Sequence, residues 1–486
     1  MSGAPGDPLA PGVWPVTAHR GPAGALVIGG VDVRDLVAEH PTPVFVCDEV
    51  DVRERAAAYR AAYAPGAPAL GAPAPGTPAP VTPAPGAEGA HPPGEVYYAA
   101  KAFLAGTLIG WLAEAGLGID VCTGGELACV LRSGLPASRV ILHGNNKSVG
   151  ELTAALDAGI GLIVVDSFDE IARLGFLAEG REPIRVLLRV TPGVAAHTHE
   201  FIATAHEDQK FGFSLAGGQA AEAVARIIAL PQLHLAGLHC HIGSQIFDAA
   251  GFAEAADRVV AFAARVHAAH GLAMEVLNLG GGMGIAYLAD DDPLDVAAMA
   301  ERLRGIVRSA CTAHGLPLPR LAVEPGRAII GPSMVTLYTV GTIKPVTLDA
   351  GEVRTYVSVD GGMSDNPRTS LYGAQYTVVL ASRVSEAPLM ACRVVGKHCE
   401  TGDVVVRDAW LPADLVPGDL LAVPASGAYH RSMASQYNLV PRPGVIAVRQ
   451  GRTATVLRAE TLDDLFAADP LLTAVPESVR ESAHGR

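Results

Sequence analysis

Eight short apolar runs recur between residues 96 and 326, and each ends in glycine or a polar side chain. Most are followed by an Ala/Leu-rich stretch with helical periodicity, and continuous apolarity is typical of parallel strands covered on both faces. Eight strand–helix units over about 230 residues favour an α/β fold of the (β/α)8 TIM-like barrel type, which typically takes about 250 residues. A doubly wound open sheet fits the same pattern, because the pattern alone does not close a barrel. The runs are VYYAAK (96–101), GIDVCT (118–123), VILHG (140–144), LIVVDS (162–167), RVLLRVTPG (185–193), LAGLHCHIG (235–243), VLNLGGG (276–282) and RLAVEPG (320–326).

The pattern of apolar and polar residues changes after residue 330. Segments such as TYVSVDGG, YTVVLASRV and TATVLRAE are short alternating runs separated by Gly, Pro and Asp turns. They predict a separate antiparallel β-domain over residues 331–486. The N-terminal stretch GALVIGGVDV has the same character, so residues 1–43 are expected to join that β-domain. The barrel is then expected to span residues 44–330, and the residues after about 475 are expected to fray.

One segment inside the predicted barrel has no core-forming composition. Residues 64–94 are almost entirely Ala, Pro and Gly with a single acid. Such a stretch cannot bury enough apolar surface to offset the entropy of ordering it. We therefore expect a disordered loop insertion, which costs the fold little free energy where it lies between a helix and a strand.

The composition of the chain limits the kinds of molecule that it is expected to bind. The formal charge of −14 argues against nucleic acid or an anionic membrane as the main partner. The seven cysteines form no CxxC pair and no zinc spacing, and no metal site is expected. The chain shows neither an export signal nor a long apolar span, so a cytoplasmic location is expected.

Lysine is rare in this chain. Only five of the 36 basic residues are lysines, and Lys101 directly ends an apolar run. Either Lys101 extends from the strand end to water, or it serves chemistry that arginine cannot perform, such as a Schiff base with an aldehyde. Lys147 and Lys210 are interpreted as surface or loop-stabilising residues.

Reactive side chains cluster at the ends of the predicted strands. In a barrel, catalytic groups lie at the C-terminal ends of the strands, so these residues are expected to lie close together. They are Lys101, Asp120, His143, Asp166, Arg189, His241, Gly280–Gly282, Glu324 and Arg327.

Three of these strand ends carry motifs that suit a flat, phosphorylated aldehyde. The glycines of NLGGGMG (278–284) let backbone N–H groups approach an anion, and HCHIGSQ (239–245) offers an imidazole that could stack on a planar ring. In EPGRAI (324–329), Glu324 could pair with a ring nitrogen and favour its protonated form. With Lys101, these features predict pyridoxal 5′-phosphate as the cofactor. A carboxylate partner favours decarboxylation, whereas racemisation would be better served by a weaker one.

The motifs YYAAKAF, HCHIGSQIF, LGGGMGI and EPGRAI together resemble the fold-type III pyridoxal-phosphate decarboxylases, whose barrel is alanine-racemase-like. Three later stretches, DGGMSDNPRTSLYGA (360–374), GKHCETGDVV (396–405) and GAYHRSMASQYN (427–438), are similar to the diaminopimelate decarboxylases of that group. HEFIATAHEDQKFGFSL (199–215) also matches their pattern. The resemblance runs from about residue 25 to 465, apart from the insertion.

The resemblance implies a reaction and a homodimer with shared active sites. The reaction is removal of CO2 from meso-2,6-diaminopimelate to give L-lysine, the last step of lysine biosynthesis. Lys101 would form the Schiff base, and Cys399 and Glu400 of the partner subunit would donate the proton and bind the distal amino group. Cofactor contacts would come from Asp120, His241, Ser244, Gly281, Gly282, Glu324, Pro325, Gly326, Arg327 and Tyr429. Substrate contacts would come from Arg327, Arg368, Tyr372, Glu400 and Tyr429.

The sequence is also compatible with three other functions. A related decarboxylase could act on ornithine, arginine, carboxynorspermidine or a diaminopimelate analogue, although Arg368 and the CETGD stretch favour a substrate with two carboxylates. A non-catalytic pyridoxal-phosphate carrier would lack residues 331–486. An alanine racemase is disfavoured by Glu324 and by the Cys399–Glu400 pair.

Overall fold

The computed structural model describes residues 9–64, 92–194, 210–293, 295–349 and 351–473. Most of the predicted insertion, most of the 199–215 motif and the predicted frayed C-terminus lie outside the described residues. The chain forms two compact units. The barrel unit comprises Asp51–Ala286 and Asp290–Pro332, and the β-rich unit comprises Met1–Val50, Tyr287–Ala289 and Ser333–Arg486.

Strands and helices alternate through the middle of the chain, whereas strands dominate after residue 333. The strands are β1 (His19–Arg20), β2 (Leu26–Ile28), β3 (Val31–Asp32), β4 (Val44–Asp48), β5 (Glu95–Ala99), β6 (Gly118–Val121), β7 (Val140–Leu142), β8 (Leu162–Val165), β9 (Ile184–Thr191), β10 (Phe213–Ser214), β11 (Leu233–His239), β12 (Val276–Asn278), β13 (Arg320–Val323), β14 (Met334–Thr347), β15 (Val353–Val359), β16 (Val379–Leu380), β17 (Leu389–Val395), β18 (Val404–Pro412), β19 (Leu420–Val423), β20 (Gly444–Arg449) and β21 (Arg452–Leu457). The α-helices are α1 (Val33–Glu39), α2 (Glu49–Tyr63), α3 (Gly106–Glu114), α4 (Gly124–Arg132), α5 (Val149–Ala158), α6 (Phe168–Leu177), α7 (Gln219–Ile228), α8 (Ala250–His270), α9 (Val296–His314), α10 (Arg327–Ile330), α11 (Arg368–Tyr372), α12 (Leu462–Phe466) and α13 (Pro470–Thr473).

The barrel unit contains a closed ring of eight parallel strands. The ring runs β5-β6-β7-β8-β9-β11-β12-β13, and it closes because β13 also pairs with β5 in parallel. All eight strands correspond to the eight apolar runs, so the (β/α)8 prediction is confirmed and the open-sheet alternative is wrong. The short β10 adds to the ring by pairing with β9.

Apolar side chains from the ring strands form one buried cluster, as expected for a barrel filled by its own side chains. At the bulge in β11, Gly237 is required because a Cβ there would lie 1.9 Å from the carbonyl oxygen of Val276. The cluster contains Tyr97, Ile141, Leu162, Val164, Leu187, Ala236, Val276 and Ala322.

Short polar caps set the turns from strand ends into helices. Thr123 and Ser167 accept backbone N–H bonds at the first turns of α4 and α6. Ser148 forms a capping box with Glu151 at the start of α5. Because each cap satisfies backbone donors that the helix cannot pair internally, the helix start is fixed close to the preceding strand end.

The β-rich unit is built on a second large sheet, ordered β18-β17-β15-β14-β4-β20-β21, in which β19 also pairs with β14 and β16 pairs with β19. The predicted antiparallel character is only partly right. β15 pairs with β17 in parallel, and β4 pairs with β20 in parallel. The second of these pairings arises because β4, from the N-terminal part of the chain, lies between β14 and β20.

The predicted N-terminal strands form a small sheet of their own. β1, β2 and β3 pair antiparallel in that order, and the Leu26 N–H donates to the Ala381 carbonyl oxygen within the same unit. The next strand, β4, is fully buried and pairs with β14. The unit therefore extends to Val50, whereas the sequence analysis placed this boundary after residue 43.

Among the described residues, no helix has the length and apolarity needed to cross a bilayer.

Lys147 lies deep in the barrel unit. Its Nζ donates to the carbonyl oxygens of Gly144 and Val164 and to Oε1 of Glu170, each at 2.7 Å. The exposed fractions of the Lys147 and Glu170 side chains are only 2% and 3%. Lys147 is therefore not a surface residue, and the alternative prediction, that it stabilises a loop, is confirmed. Lys147 ties the loop after β7 to the end of β8 and to α6.

Replacing Lys147 with methionine should lower the free energy of unfolding by about 3–5 kcal/mol, because the Glu170 carboxylate would stay buried without its partner. Urea unfolding followed by circular dichroism measures this change. Lys344→Met is the matched control, because Lys344 is exposed on β14 and its loss should change stability by no more than about 0.5 kcal/mol. Equal stability of the two variants would contradict this account.

Candidate active site

The C-terminal ends of the ring strands gather a set of buried polar groups. Asp120 lies in β6, His143 directly follows β7, and Glu324 directly follows β13. All three are at most 7% exposed. The closed barrel brings these side chains together although they are up to 204 positions apart in sequence, from Asp120 to Glu324.

Glu324 is the centre of this set. Its Oε1 is 2.8 Å from Nε2 of His143 and accepts a hydrogen bond from Nδ2 of Asn278 at 2.7 Å. Its Oε2 is 3.3 Å from Nε2 of His239. Two imidazoles and an amide therefore surround one carboxylate.

The pKa values of the two carboxyl groups in this region shift in opposite directions. Burial alone would raise the pKa of Glu324, but His143 and His239 offset this effect and hold its pKa well below the usual range. Burial raises the pKa of Asp120 to about 6, with the repulsion from Glu324 acting in the same direction. Oδ1 of Asp120 lies 3.6 Å from Nε2 of His143. Glu324 is thus the group that stays ionised across the physiological range.

His241 is held as a neutral ring. Its Nδ1 accepts a hydrogen bond from the Gly281 N–H at 3.2 Å, so the proton of the neutral ring sits on Nε2. Removal of the ring from water and the nearby Lys101 ammonium lower the pKa of His241 well below its usual value.

Lys101 lies in a single 3-10 turn, Ala100–Ala102, directly after β5. Its neighbours Ala100 and Ala102 are buried, whereas the Lys101 side chain is exposed. The ammonium interacts electrostatically with Asp120 and with His241. Lys101 thus lies between two buried alanines with its own side chain exposed, which suits an amine that must react with a ligand.

The glycine run after β12 packs directly against neighbouring backbone. A Cβ on Gly281 would lie 2.3 Å from the Glu324 carbonyl oxygen. Gly282 has a φ of +112°, and a Cβ there would lie 2.4 Å from the carbonyl oxygen of Gly243. Only glycine fits both positions, so the backbone of this run lies against the loop after β11 and the end of β13.

Arg327 and Ser244 meet beside that run. Nη2 of Arg327 donates to Oγ of Ser244 at 3.0 Å. The Pro325 carbonyl oxygen accepts from the Ala99 N–H at 3.3 Å, and a Cβ on Gly326 would lie 3.0 Å from the Ala99 carbonyl oxygen. The EPGR stretch therefore lies against the end of β5. That strand end, Ala99, precedes Lys101 by two residues.

The β-rich unit holds a second polar cluster around a buried arginine. Nη1 of Arg368 donates to the Tyr287 hydroxyl at 2.9 Å and also to the Tyr376 hydroxyl. The guanidinium also lies 5.0 Å from the centre of the Tyr287 ring. Although burial alone would lower the pKa of Arg368, the phenols of Tyr287, Tyr376 and Tyr429 raise it overall.

The remaining predicted residues of this unit differ in exposure. Cys399 and Glu400 are exposed, whereas Tyr372, the last residue of α11, is half-buried. Tyr429 is also half-buried and has a φ of +63°, a backbone conformation that is uncommon for a bulky residue. Its phenol interacts electrostatically with Arg368.

The turn that carries Cys399 and Glu400 is anchored by its neighbours. The His398 ring has Ser364 Oγ 2.8 Å from Nε2 and Asn438 Oδ1 3.1 Å from Nδ1. The buried Asp403 carboxylate accepts the His398 N–H at 2.8 Å and the Met363 N–H at 2.6 Å. The two exposed side chains thus project from a turn whose backbone is held on both sides.

Several residues of these clusters were not singled out as site residues by the sequence analysis. His239 and Asn278 sit inside the apolar runs that read as strands. One signal was available for His239, because residues two apart on a strand face the same side and His239 precedes His241 by two. Tyr287 and Tyr376 gave no comparable signal, since Tyr287 lies 81 positions from Arg368 and Tyr376, eight positions away, carries no pattern that marks it as a partner.

Comparisons with known proteins agree across the chain. Residues 86–331 match the family described as pyridoxal-dependent decarboxylase, pyridoxal binding domain. The chain is 51% identical to the diaminopimelate decarboxylase of Mycobacterium tuberculosis, covering 95% of this chain and 98% of that protein. It is 42% identical to the diaminopimelate decarboxylase of Bacillus subtilis, covering 95% and 99%.

Solved structures show the same similarity. The diaminopimelate decarboxylase of M. jannaschii, in complex with L-lysine, aligns with a TM-score of 0.80 at 28% identity, covering 96% of this chain and 99% of that one. The Helicobacter pylori enzyme complexed with L-lysine aligns with a TM-score of 0.76 at 27% identity, covering 90% and 99%. The fold, the clustered strand-end residues and this near full-length similarity agree. The chain therefore belongs to the diaminopimelate decarboxylase family.

Proposed function

We propose that this protein removes CO2 from meso-2,6-diaminopimelate to give L-lysine, with pyridoxal 5′-phosphate as its cofactor. The observation that carries the proposal is the 51% identity to a diaminopimelate decarboxylase over 95% of the chain. This similarity includes the β-rich unit as well as the barrel, so it covers the residues proposed to bind substrate. A carrier that only stores cofactor would not need them.

The described residues of the barrel unit fit the cofactor. A glycine run that tolerates no side chain lies beside the Ser244 hydroxyl and the Arg327 guanidinium, which together suit a phosphate. A neutral imidazole, His241, suits stacking on a ring. The ionised Glu324 carboxylate suits a protonated ring nitrogen.

Each residue of this set has a proposed role. Lys101 would attach the cofactor covalently through its ε-amino group and is accessible for this purpose. His241 would stack on the ring and Glu324 would bind its nitrogen. The bound cofactor supplies an electron sink for the electron pair released when CO2 leaves. The remaining cofactor contacts are assigned to Asp120, Ser244, Gly281, Gly282, Pro325, Gly326, Arg327 and Tyr429.

Substrate recognition is assigned to residues that suit a doubly zwitterionic molecule. Arg327 and Arg368 each offer a guanidinium that can bind a carboxylate through two parallel hydrogen bonds. Tyr372 and Tyr429 would add hydroxyl contacts, and Glu400 would bind the distal ammonium group. Cys399 would deliver a proton from its thiol to the carbon that loses CO2.

The assembly and location are also part of the proposal. We assign a homodimer in which Cys399 and Glu400 of one protomer act at the cofactor of the other, in line with the exposure of both side chains. We place the enzyme in the cytoplasm. The seven cysteines support this location, because no disulfide is found among the described residues and reduced thiols are typical of that compartment.

Replacing Lys101 with arginine should abolish turnover, with a fall in kcat of at least about 10³-fold, because a guanidinium keeps the charge but cannot attach to the aldehyde. The assay follows lysine and CO2 from meso-diaminopimelate, with the absorption spectrum of bound cofactor recorded alongside. Lys344→Arg, on an exposed strand position, is the control and should keep wild-type activity. Lysine production by the Lys101 variant at the wild-type rate would overturn the assignment.

Mixing two inactive variants tests the shared site. Lys101→Ala and Cys399→Ala each damage both sites of their own homodimer, but a mixed dimer would contain one site with both native residues. Random exchange of subunits should restore activity to about a quarter of the wild-type value. The measurement is lysine formation after the two variants have been exchanged at low protein concentration and reconcentrated. Failure to recover activity, although mass spectrometry shows mixed dimers, would contradict the shared site.

A further inference from the structure

We propose that His143, His239 and Asn278 are positioning residues that orient the Glu324 carboxylate and keep one of its oxygens available for the cofactor's ring nitrogen. This inference rests on the proposed function, in which Glu324 is the partner of that nitrogen.

The two oxygens of Glu324 are not equivalent. Oε1 has two short contacts, at 2.8 Å to Nε2 of His143 and at 2.7 Å from Nδ2 of Asn278. Oε2 has a single longer contact, at 3.3 Å to Nε2 of His239. Because a carboxylate oxygen accepts about two hydrogen bonds, Oε1 is saturated and Oε2 has room for one more strong donor. A protonated ring nitrogen is such a donor.

A single tautomer of the neutral His239 ring is consistent with its contacts. His239 must carry its proton on Nε2 to donate to Glu324, which leaves Nδ1 as a bare acceptor. Nδ1 is buried and has no hydrogen-bond partner within the described part of the chain, which is tolerable for a lone pair and costly for an N–H group. Burial lowers the pKa of His239 to about 4, so the ring stays neutral. The two imidazoles meet edge to face, with ring centres 4.8 Å apart.

The donors are themselves held in place. Oδ1 of Asn278 accepts the Gly280 N–H at 2.8 Å, while the Gly280 carbonyl oxygen accepts the Glu324 N–H at 2.9 Å. Asn278 therefore connects the glycine run, proposed to bind phosphate, to the carboxylate proposed to bind the ring. The His143 N–H donates to the Val121 carbonyl oxygen at 2.7 Å, which fixes that histidine beside β6.

Loss of a donor has a defined consequence. Glu324 is buried, so with fewer hydrogen bonds its ionised form becomes less favourable and its pKa rises. A larger fraction of the carboxyl group would then be protonated, and the ring nitrogen would lack a charged partner in that fraction. Removing the donor should therefore lower kcat by about 10–100-fold, as for other residues that orient a functional group, with little change in KM.

The experiment measures the protonation state of the cofactor's ring nitrogen directly. The apo-protein is reconstituted with pyridoxal phosphate carrying ¹⁵N in the ring, and solid-state NMR records its chemical shift, which separates protonated from neutral pyridine. Glu324→Gln supplies the reference for an uncharged partner. His143→Leu and His239→Leu remove a donor, whereas His143→Gln and His239→Gln keep an N–H at similar reach. Asn278→Leu removes the third donor at nearly constant volume.

The proposal expects the leucine variants to move the ¹⁵N signal towards that of Glu324→Gln, and the glutamine variants to stay near wild type. An unmoved signal in the leucine variants overturns it, and so does an equal shift in leucine and glutamine variants, which would indicate packing and not donation. If a leucine variant does not retain cofactor or native circular dichroism, the test rests on Asn278→Leu and on the two glutamine variants. The proposal then expects the ¹⁵N signal to shift in Asn278→Leu and to stay near wild type in the glutamine variants, and the opposite result overturns it. A signal that does not move even in Glu324→Gln would instead refute the assignment of Glu324 in the proposed function.

Discussion

Closure of the parallel ring is the constraint on which the rest of this protein depends. Eight strands pair in one direction, and the β13–β5 pairing completes the circle. All strand C-termini must then meet at one end. This single geometric fact brings Lys101, Asp120, His241 and Glu324 into one region, although no two of them are neighbours in sequence.

A second consequence is electrostatic. Groups crowded at the end of a packed barrel lose water, so each charge there needs partners. Glu324 finds three donors and stays ionised, whereas Asp120, with weaker support, has its pKa raised to about 6 by burial. The pKa values of Glu324 and Asp120 therefore differ although the two groups lie in the same region. Glu324, the one held in its ionised form by donors, is the one suited to pair with a protonated ring nitrogen.

Much of this was predictable from the sequence, and the reasons are physical. Parallel strands covered on both faces must be apolar throughout, so each strand of the ring was visible as a continuous run that ended in glycine or a polar side chain. Long-range partners were not visible. The burial of Lys147 was not visible because its partner Glu170 lies 23 positions away, and the parallel β4–β20 pairing joins segments about 400 residues apart. Asn278 was hidden within a strand, and His239 was marked only by its two-residue spacing from His241.

The most direct test of the account is the substrate preference of the wild-type holoenzyme. We would measure kcat/KM for meso-diaminopimelate and for L-ornithine and L-arginine, which lack the second carboxylate. A buried arginine left without its carboxylate partner is costly, so we expect a preference for meso-diaminopimelate of about 10³-fold or more. Comparable values for ornithine or arginine would contradict the account, because one of the two arginines assigned to the substrate carboxylates, Arg327 or Arg368, would then have no carboxylate to bind.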